Sequence, residues 1–355
     1  MPKTADPVGD TILVTGGAGF IGANYVLHHL EAHPEDRVVV FDALTYAGNL
    51  ETLASVQSQD NFHFVRGDIT DDDAVKAAFE REQPDHVVHF AAESHVDQSI
   101  LGPRVFVHTN VLGTQVLLDA ARSHGARRFL LVSTDEVYGT LGPEDPGFTE
   151  STPLSPSNPY SASKAAADLL CLSYHRTFGT DVVITRCCNN FGPYQFPEKL
   201  IPLMILNALE DKPLPVYGDG MQVRDWIHAE DHSRAIDAVL KGGRSGEVYN
   251  IGAENEHPNI EVVQAILQHL GKPTSLITHV TDRPGHDRRY AIDATRMREE
   301  LGWTAQHTWP QALKDTIDWY VENRTWWERV RSGAYRDYYE KQYGARLRDA
   351  GGQSS

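Results

Sequence analysis

At 355 residues the chain is long enough to bury a sizeable core and to form two lobes. A formal net charge of −17 argues against a general nucleic-acid or membrane surface, so basic residues serving an anionic ligand must be gathered locally. Cys171, Cys187 and Cys188 form no Cys-x-x-Cys pair, the N-terminus lacks the apolar core of a signal peptide, and no run is long enough to cross a membrane; a cytoplasmic, reducing location is expected.

The first predicted strand, Thr11 to Thr15, feeds directly into Gly16-Gly-Ala-Gly19-Phe20-Ile21-Gly22 and then an amphipathic stretch from Ala23 to Glu31. Glycines at 16, 19 and 22 permit a tight turn, close approach of backbone to a pyrophosphate and close packing of helix on strand. The helix N-terminus that follows offers N–H groups and a positive dipole end to phosphates. A second strand, Arg37 to Phe41, ends in Asp42, twenty residues after Gly22. An acidic side chain there accepts hydrogen bonds from the adenosine ribose hydroxyls and repels a 2′-phosphate, which favours NAD over NADP. A glycine-rich turn followed by a solvated aspartate is the plain alternative, and the strand–turn–helix–strand order weighs against it.

Further apolar runs at Phe62–Val65, Val87–Phe90, Phe129–Ser133 and Val182–Thr185 alternate with helical patterns at Asp73–Arg81, Val105–Ser123 and Ala162–Phe178. Short, nearly continuous apolar runs suit parallel strands covered on both faces. The fold class expected is α/β, a doubly wound parallel sheet of Rossmann type. After Arg186 the texture changes. Pro193, Pro197, Pro202, Pro213 and Pro215 punctuate shorter elements, and Gly218 and Gly220 mark a turn. A smaller α/β lobe is therefore expected over 187–350, after a dinucleotide lobe over 1–186 with returning segments near 231–257 and 310–325. Trp303, Trp309, Trp319, Trp326 and Trp327 read as packing, and Gly351 to Ser355 as disordered.

Two segments carry chemistry. Tyr160 and Lys164, four apart after Pro159, fall one turn apart on one helix face. A nearby ammonium stabilises a phenolate, which makes Tyr160 a base for an alcohol being oxidised. In Ser133-Thr134-Asp135-Glu136-Val137-Tyr138-Gly139, two consecutive carboxyls follow a strand. Packing does not require them and they repel one another. In a closed site one holds its proton near neutrality while the other stays ionised, giving an acid beside a base. In isolation they would read as solvated loop residues.

In this order the pieces Gly16–Gly22, Asp42, Gly67-Asp68-Ile69, Ala91-Ala92, Asn110, Ser133-Thr134 and Tyr160/Lys164 resemble the extended short-chain dehydrogenase/reductase family over nearly the whole length. With Asp135 and Glu136, where sugar epimerases of the family have small residues, the chain is similar to the dTDP-glucose 4,6-dehydratases. Long segments carry that likeness: Ala91–Asp97, Asn189–Leu200, Leu214–Gly220, Arg224-Asp225-Trp226, Tyr249–Gly252 and Asp282–Tyr290. Gln98, Phe90 and the pair Cys187-Cys188 depart from it outside the expected catalytic positions.

The resemblance implies an NAD-dependent lyase acting on dTDP-glucose: oxidation at C4, loss of water across C5 and C6, and return of hydride to C6. It implies Thr134, Asp135, Glu136, Tyr160 and Lys164 as catalytic residues. Tyr160 takes the C4 hydroxyl proton, Thr134 binds the C4 oxygen, Glu136 takes the C5 proton and Asp135 protonates the departing hydroxyl. NAD would lie against Gly16, Gly19, Phe20, Ile21, Gly22, Asp42, Leu44, Thr45, Asp68, Ile69, Ala91, Ala92, Ser94, Thr109, Tyr160, Lys164 and Asn190. The nucleotide sugar would meet Ser94, Thr134, Asn189, Lys199, Leu200, Pro215, Tyr217, Arg224, Asn259, Arg283, His286, Arg288 and Tyr290. Lys199, Arg224 and Arg288 suit the diphosphate, because a guanidinium meets phosphate oxygens in a fork. The resemblance also implies a homodimer through a four-helix bundle of Val105–Ser123 and Ala162–Phe178, whose apolar stripes would equally serve to cover the sheet. No spacing of His, Asp and Glu argues for a metal. A 4-epimerase, a dehydratase of UDP- or GDP-sugars, and a non-catalytic NAD-binding interaction protein stay open; the complete catalytic set argues against the last.

Overall fold

The structure, a computed structural model, describes residues 9–331; Gly351–Ser355 lie outside the described residues. In chain order the elements begin with β1 (Thr11–Thr15), α1 (Phe20–Ala32), β2 (Arg37–Asp42), β3 (Phe62–Arg66), α2 (Asp72–Glu82), β4 (His86–His89), α3 (Val96–Leu101), α4 (Pro103–Phe106), α5 (Thr114–Ser123) and β5 (Arg128–Thr134). Then come α6 (Pro159–Phe178), β6 (Val182–Cys187), β7 (Asn189–Phe191), α7 (Leu200–Leu209), β8 (Leu214–Tyr217), β9 (Val223–His228), α8 (Ala229–Gly242) and β10 (Val248–Ile251). The remainder are β11 (Glu256–Pro258), α9 (Asn259–His269), β12 (Ile277–Val280), α10 (Thr295–Leu301), α11 (Trp309–Glu322) and α12 (Arg324–Val330).

Seven strands make one sheet in the order β10-β6-β5-β4-β1-β2-β3, every neighbouring pair parallel. Alternate residues of each strand feed opposite faces. Ile12, Val14, Val38, Val40, Val88 and Leu130 pack with Tyr25, Val26 and Leu30 of α1 and Ile236 and Val239 of α8. Leu13, Val39, Phe41, Val87, Phe129 and Leu131 pack with Phe79 of α2, Leu117 of α5 and Cys171 of α6. Both faces are thus closed to water, which is why these strands are nearly all apolar. Strand order reverses between β1 and β4, leaving a crevice beyond the carboxyl ends of the strands, where α/β sheets bind ligands.

A separate core holds the second lobe: Phe191, Ile201, Met204 and Ile205 with Trp226, Val262, Ile266, Trp309, Ile317, Tyr320 and Trp327. Two details differ from the sequence reading. The segment 310–325 does not return to the first lobe, because Trp309, Leu313, Ile317 and Tyr320 of α11 face this second core. The predicted helix over Val105–Ser123 is broken in character: Val107–Gly113 is a π-helix between α4 and α5. Among the described residues no helix is long and apolar enough to cross a membrane.

Candidate active site

The glycine turn joins β1 to α1, whose N-cap Gly19 provides no side-chain cap, so the first N–H groups of the helix are open toward the crevice. A Cβ on Gly16 would stand 2.6 Å from Ala91 N, and one on Gly22 2.3 Å from Gly16 O. Gly16 also has φ 69°, in the left-handed region. At the end of β2 the Asp42 carboxylate is buried and oriented: Ala18 N–H donates to Oδ2 (3.0 Å) and Leu44 N–H to Oδ1 (2.8 Å). Asp68 and Ile69 follow β3, Ala91, Ala92 and Ser94 follow β4, and Thr109 lies on the π segment. A Cβ on Gly113 would meet Ile69 Cδ1 at 2.5 Å, so the π segment closes directly over Ile69. An open helix N-terminus, a backbone-only turn and a buried carboxylate one strand away fit a dinucleotide.

Opposite this wall, α6 presents Tyr160 and Lys164, both buried. A capping box fixes the start of the helix. Asn158 Oδ1 accepts from Ser161 N–H (2.9 Å), Ser161 Oγ meets the Asn158 N–H (3.2 Å), and Pro159 occupies the first turn. Tyr160 hydrogen-bonds Thr134, yet burial and the Glu136 carboxylate push its phenol well above the ordinary range. Lys164 donates instead to the Val132 carbonyl (2.8 Å). The expectation that spacing alone makes Lys164 depress Tyr160 is therefore corrected. Helical spacing brings the two residues to one face, but the ammonium finds a β5 carbonyl and the phenol sits in a dry, acidic corner.

Asp135 and Glu136 open a short 3-10 turn after β5, with the Thr134 hydroxyl accepting from Glu136 N–H (3.3 Å). Their surroundings separate them. Burial, Glu136 and Asp225 hold Asp135 well above the usual carboxylate range, against a smaller pull from Arg224. Burial also raises Glu136, but Arg283, Arg224 and Lys199 oppose that rise. A proton-holding acid beside a cation-supported carboxylate is the pairing that an elimination requires.

From the second lobe come Asn189 on β7 and Asn259 at the head of α9, each with a buried Oδ1 that has no hydrogen-bond partner; Asp135 Oδ2, Glu136 Oε2 and Arg283 Nε share that condition. Buried polar atoms without partners mark a place built for a polar ligand. Arg224 lies over the Tyr290 ring (4.2 Å), donating to the Val223 and Asp287 carbonyls (2.7 and 2.9 Å). Tyr290 Oη donates to Asp287 (2.5 Å), Lys199 Nζ to the Ser94 carbonyl (2.9 Å), and Tyr217 Oη to Asp97 (2.9 Å). Tyr217 also meets His286 edge-on at 5.9 Å. Leu200 and Pro215 begin and line α7 and β8, and Asn190 on β7 is held by His232 (2.7 Å). Arg288 stands apart. It is exposed and spans both oxygens of Asp219 (2.9 and 3.1 Å), so it does not join the buried cations.

Sequence reading missed several partners. Asn110 on the π segment accepts from Glu93 N–H (2.8 Å) and donates to Ser163 Oγ (2.9 Å), tying α6 to the loop after β4. Glu198, pushed up to about 7 by burial, lies 3.6 Å from His95. Glu198 lies inside the Asn189–Leu200 segment, where its neighbour Lys199 is the residue singled out. His29 of α1 and His33 just after it meet Asp237 of α8, but Lys241 already sits 2.7 Å from His33, and the group reads as a charge network joining two helices.

Known proteins resemble the chain over most of its length. A dTDP-glucose 4,6-dehydratase from Xanthomonas campestris is 56% identical over 344 residues, 92% of this chain and 97% of that protein. A dTDP-glucose 4,6-dehydratase from Streptomyces venezuelae, solved with NAD and TYD bound, matches with a TM-score of 0.88 at 50% identity, covering 90% of this chain and 99% of that one. A UDP-glucose 4-epimerase from Thermotoga maritima, solved with UDP-glucose, matches at 0.82 and 28% identity, covering 88% and 99%. The shared sheet thus reaches across different chemistries, while the family model for GDP-mannose 4,6 dehydratase aligns with residues 13–316, from β1 to α11. By that match the chain, with its crevice and paired carboxyls, belongs to the GDP-mannose 4,6 dehydratase family.

Proposed function

We propose that this protein is an NAD-dependent hydro-lyase that converts dTDP-glucose to dTDP-4-keto-6-deoxyglucose and water. The observation that carries the reading is the pair Asp135 and Glu136 at the end of β5, Asp135 buried beside Asp225 and the partly exposed Glu136 facing Arg283 and Lys199. An epimerase needs no such pair, since its 4-keto sugar has only to turn and be reduced. The dTDP-glucose names of relatives near half identity decide the nucleotide against the GDP-mannose of the family description.

Bound NAD supplies a reversible hydride acceptor, held by the Gly16–Gly22 turn, Asp42, Asp68, Ile69 and the ends of β4 and α6. The protein's own groups move the protons. Tyr160 must shed its own phenolic proton before its oxygen can receive that of the C4 hydroxyl, and Thr134 holds the C4 oxygen. Glu136, kept from full neutralisation by Arg283 and Arg224, takes the proton that the new ketone has acidified at C5. Asp135, holding its proton by burial, gives it to the C6 hydroxyl so that water leaves rather than hydroxide. Arg224, Arg283, Asn189 and Asn259 supply the polar lining for the sugar nucleotide. We divide the labour accordingly, cofactor on the first lobe and nucleotide sugar on the second.

The surface supports a homodimer. Val107 (57% exposed), Leu112 (40%) and Leu169 (58%) are apolar and face outward, beside a groove lined by Val111 and Leu170. An apolar face of this kind on α4, the π segment and α6 fits a four-helix contact with a second copy. Three buried, unpaired cysteines suit the reducing cytoplasm. Incubation with dTDP-glucose should give a product lighter by one water and absorbing in alkali as a 4-keto-6-deoxy sugar; recovery of the C4 epimer instead would overturn the assignment.

A further inference from the structure

We infer that Asp97 is a positioning residue that reaches across the two lobes and sets Arg283 and Tyr217 for the nucleotide sugar; this rests on the dTDP-glucose reading above. Asp97 lies in the first turn of α3, on the lobe that carries the glycine turn and Asp42. Tyr217 ends β8 and Arg283 follows β12, both on the other lobe. The Asp97 carboxylate spans that boundary with both oxygens. Oδ1 accepts from Arg283 Nη1 (2.8 Å) and Oδ2 from Tyr217 Oη (2.9 Å). The three side chains come from positions 97, 217 and 283, so no local turn or helix requires them to meet.

Burial makes the contact consequential. Asp97 is 6% exposed, and a carboxylate so placed is tolerated only when paired and hydrogen-bonded. Its charge fixes Arg283 by one end of the guanidinium, leaving Nε, buried and without a hydrogen-bond partner, for a ligand oxygen. Fixing Tyr217 by its hydroxyl sets the ring that meets His286 edge-on. Arg283 is also the strongest cationic influence on Glu136, so its orientation bears on the base as well as on the nucleotide. Two rotamer-rich side chains are thus ordered before substrate arrives. Ordering of that kind lowers the entropic cost of binding and is worth about 5- to 150-fold in affinity for two side chains.

The test uses the NAD-loaded holoenzyme and the variants Asp97→Asn, Tyr217→Phe and their combination. Calorimetry measures dTDP affinity; steady-state rates with dTDP-glucose separate KM from kcat. Asp97→Asn should weaken dTDP by about 5- to 150-fold and raise KM by a similar factor, with kcat falling less than KM rises. NAD content should match the wild type. Because Asp97 acts through Tyr217, the double variant should bind little worse than Asp97→Asn alone. Asp97→Glu should recover part of the affinity. Unchanged dTDP affinity in Asp97→Asn, strictly additive losses, or loss of NAD in parallel with dTDP overturns the inference. If Asp97→Asn is recovered unfolded, Tyr217→Phe decides, and wild-type affinity in that variant overturns it. Failure of the wild type itself to bind dTDP overturns the functional reading and this inference together, whereas a wild type that binds beside an indifferent Asp97→Asn overturns the inference alone.

Discussion

At the scale of single residues, chemistry is divided between two neighbours that sequence alone treats alike. Asp135→Asn leaves Tyr160, Thr134 and Glu136 in place, so oxidation at C4 and loss of the C5 proton should continue while elimination slows. A general acid is typically worth about 10²–10⁴-fold, and the defect should fall in that range. Glu136→Gln should fail earlier, at C5. With dTDP-glucose carrying deuterium at C5, NMR should show exchange collapsing in Glu136→Gln and surviving in Asp135→Asn; equal exchange would mean that acid and base are exchanged. The same pair predicts a pH dependence. Glu136 must be ionised to act, and burial raises it above 4.5, so C5 exchange should be lost as pH falls while still above that value. Arg283 opposes the rise, so Arg283→Gln should move this acid limb to higher pH, and a move to lower pH would contradict the assignment. The sequence named both carboxyls, but the groups that tell them apart, Asp225 on one side and Arg283 on the other, arrive from distant elements. Spacing likewise placed Tyr160 and Lys164 on one face and missed that the ammonium bonds Val132.

Elements were legible where one residue pattern admits one structure. Apolar runs of four or five residues between helical patterns have few uses besides parallel strands, and β1 to β6 lie where those runs do. The π segment had no such signature. Its hydrogen-bond register leaves no mark on composition, and only the close approach of Gly113 to Ile69 shows what the segment has to accommodate. The side to which α11 packs was equally hidden, since an amphipathic face says that a core is near and not which one. The start of α6 makes the link between element and site testable. Asn158→Ala removes the bond to Ser161 N–H and should cost about 1 kcal/mol of stability, measured by denaturant unfolding. Because Tyr160 sits within that first turn, turnover should fall as well; full activity at lowered stability would separate the cap from the site. On the facing wall, Gly22→Ala would drive a Cβ to 2.3 Å from Gly16 O, so the purified variant should carry much less NAD than the wild type.

Considered whole, the molecule keeps its cofactor side and its exposed apolar face on the same helices. α6 turns Tyr160 and Lys164 inward while Leu169 points outward, and the π segment holds Asn110 inside with Val107 outside. Pairing of this face between two copies would therefore brace the helix that carries the base. In a two-fold contact each residue lies near its own copy or a symmetric partner, so one substitution acts from both sides. Val107→Glu combined with Leu169→Glu replaces two outward apolar side chains in each subunit, which puts four carboxylates across the pair. Neither side chain supports the interior of its own subunit, with Val107 57% and Leu169 58% exposed, so the fold should survive and the melting curve should stay cooperative. Light scattering during gel filtration should give twice the 39.5 kDa chain mass for the wild type and the single chain mass for the variant. The variant should also release NAD more readily, since α6 and the π segment lose their brace. A wild type of single-chain mass, or a double variant that still elutes as a dimer, would show that this face is covered in some other way.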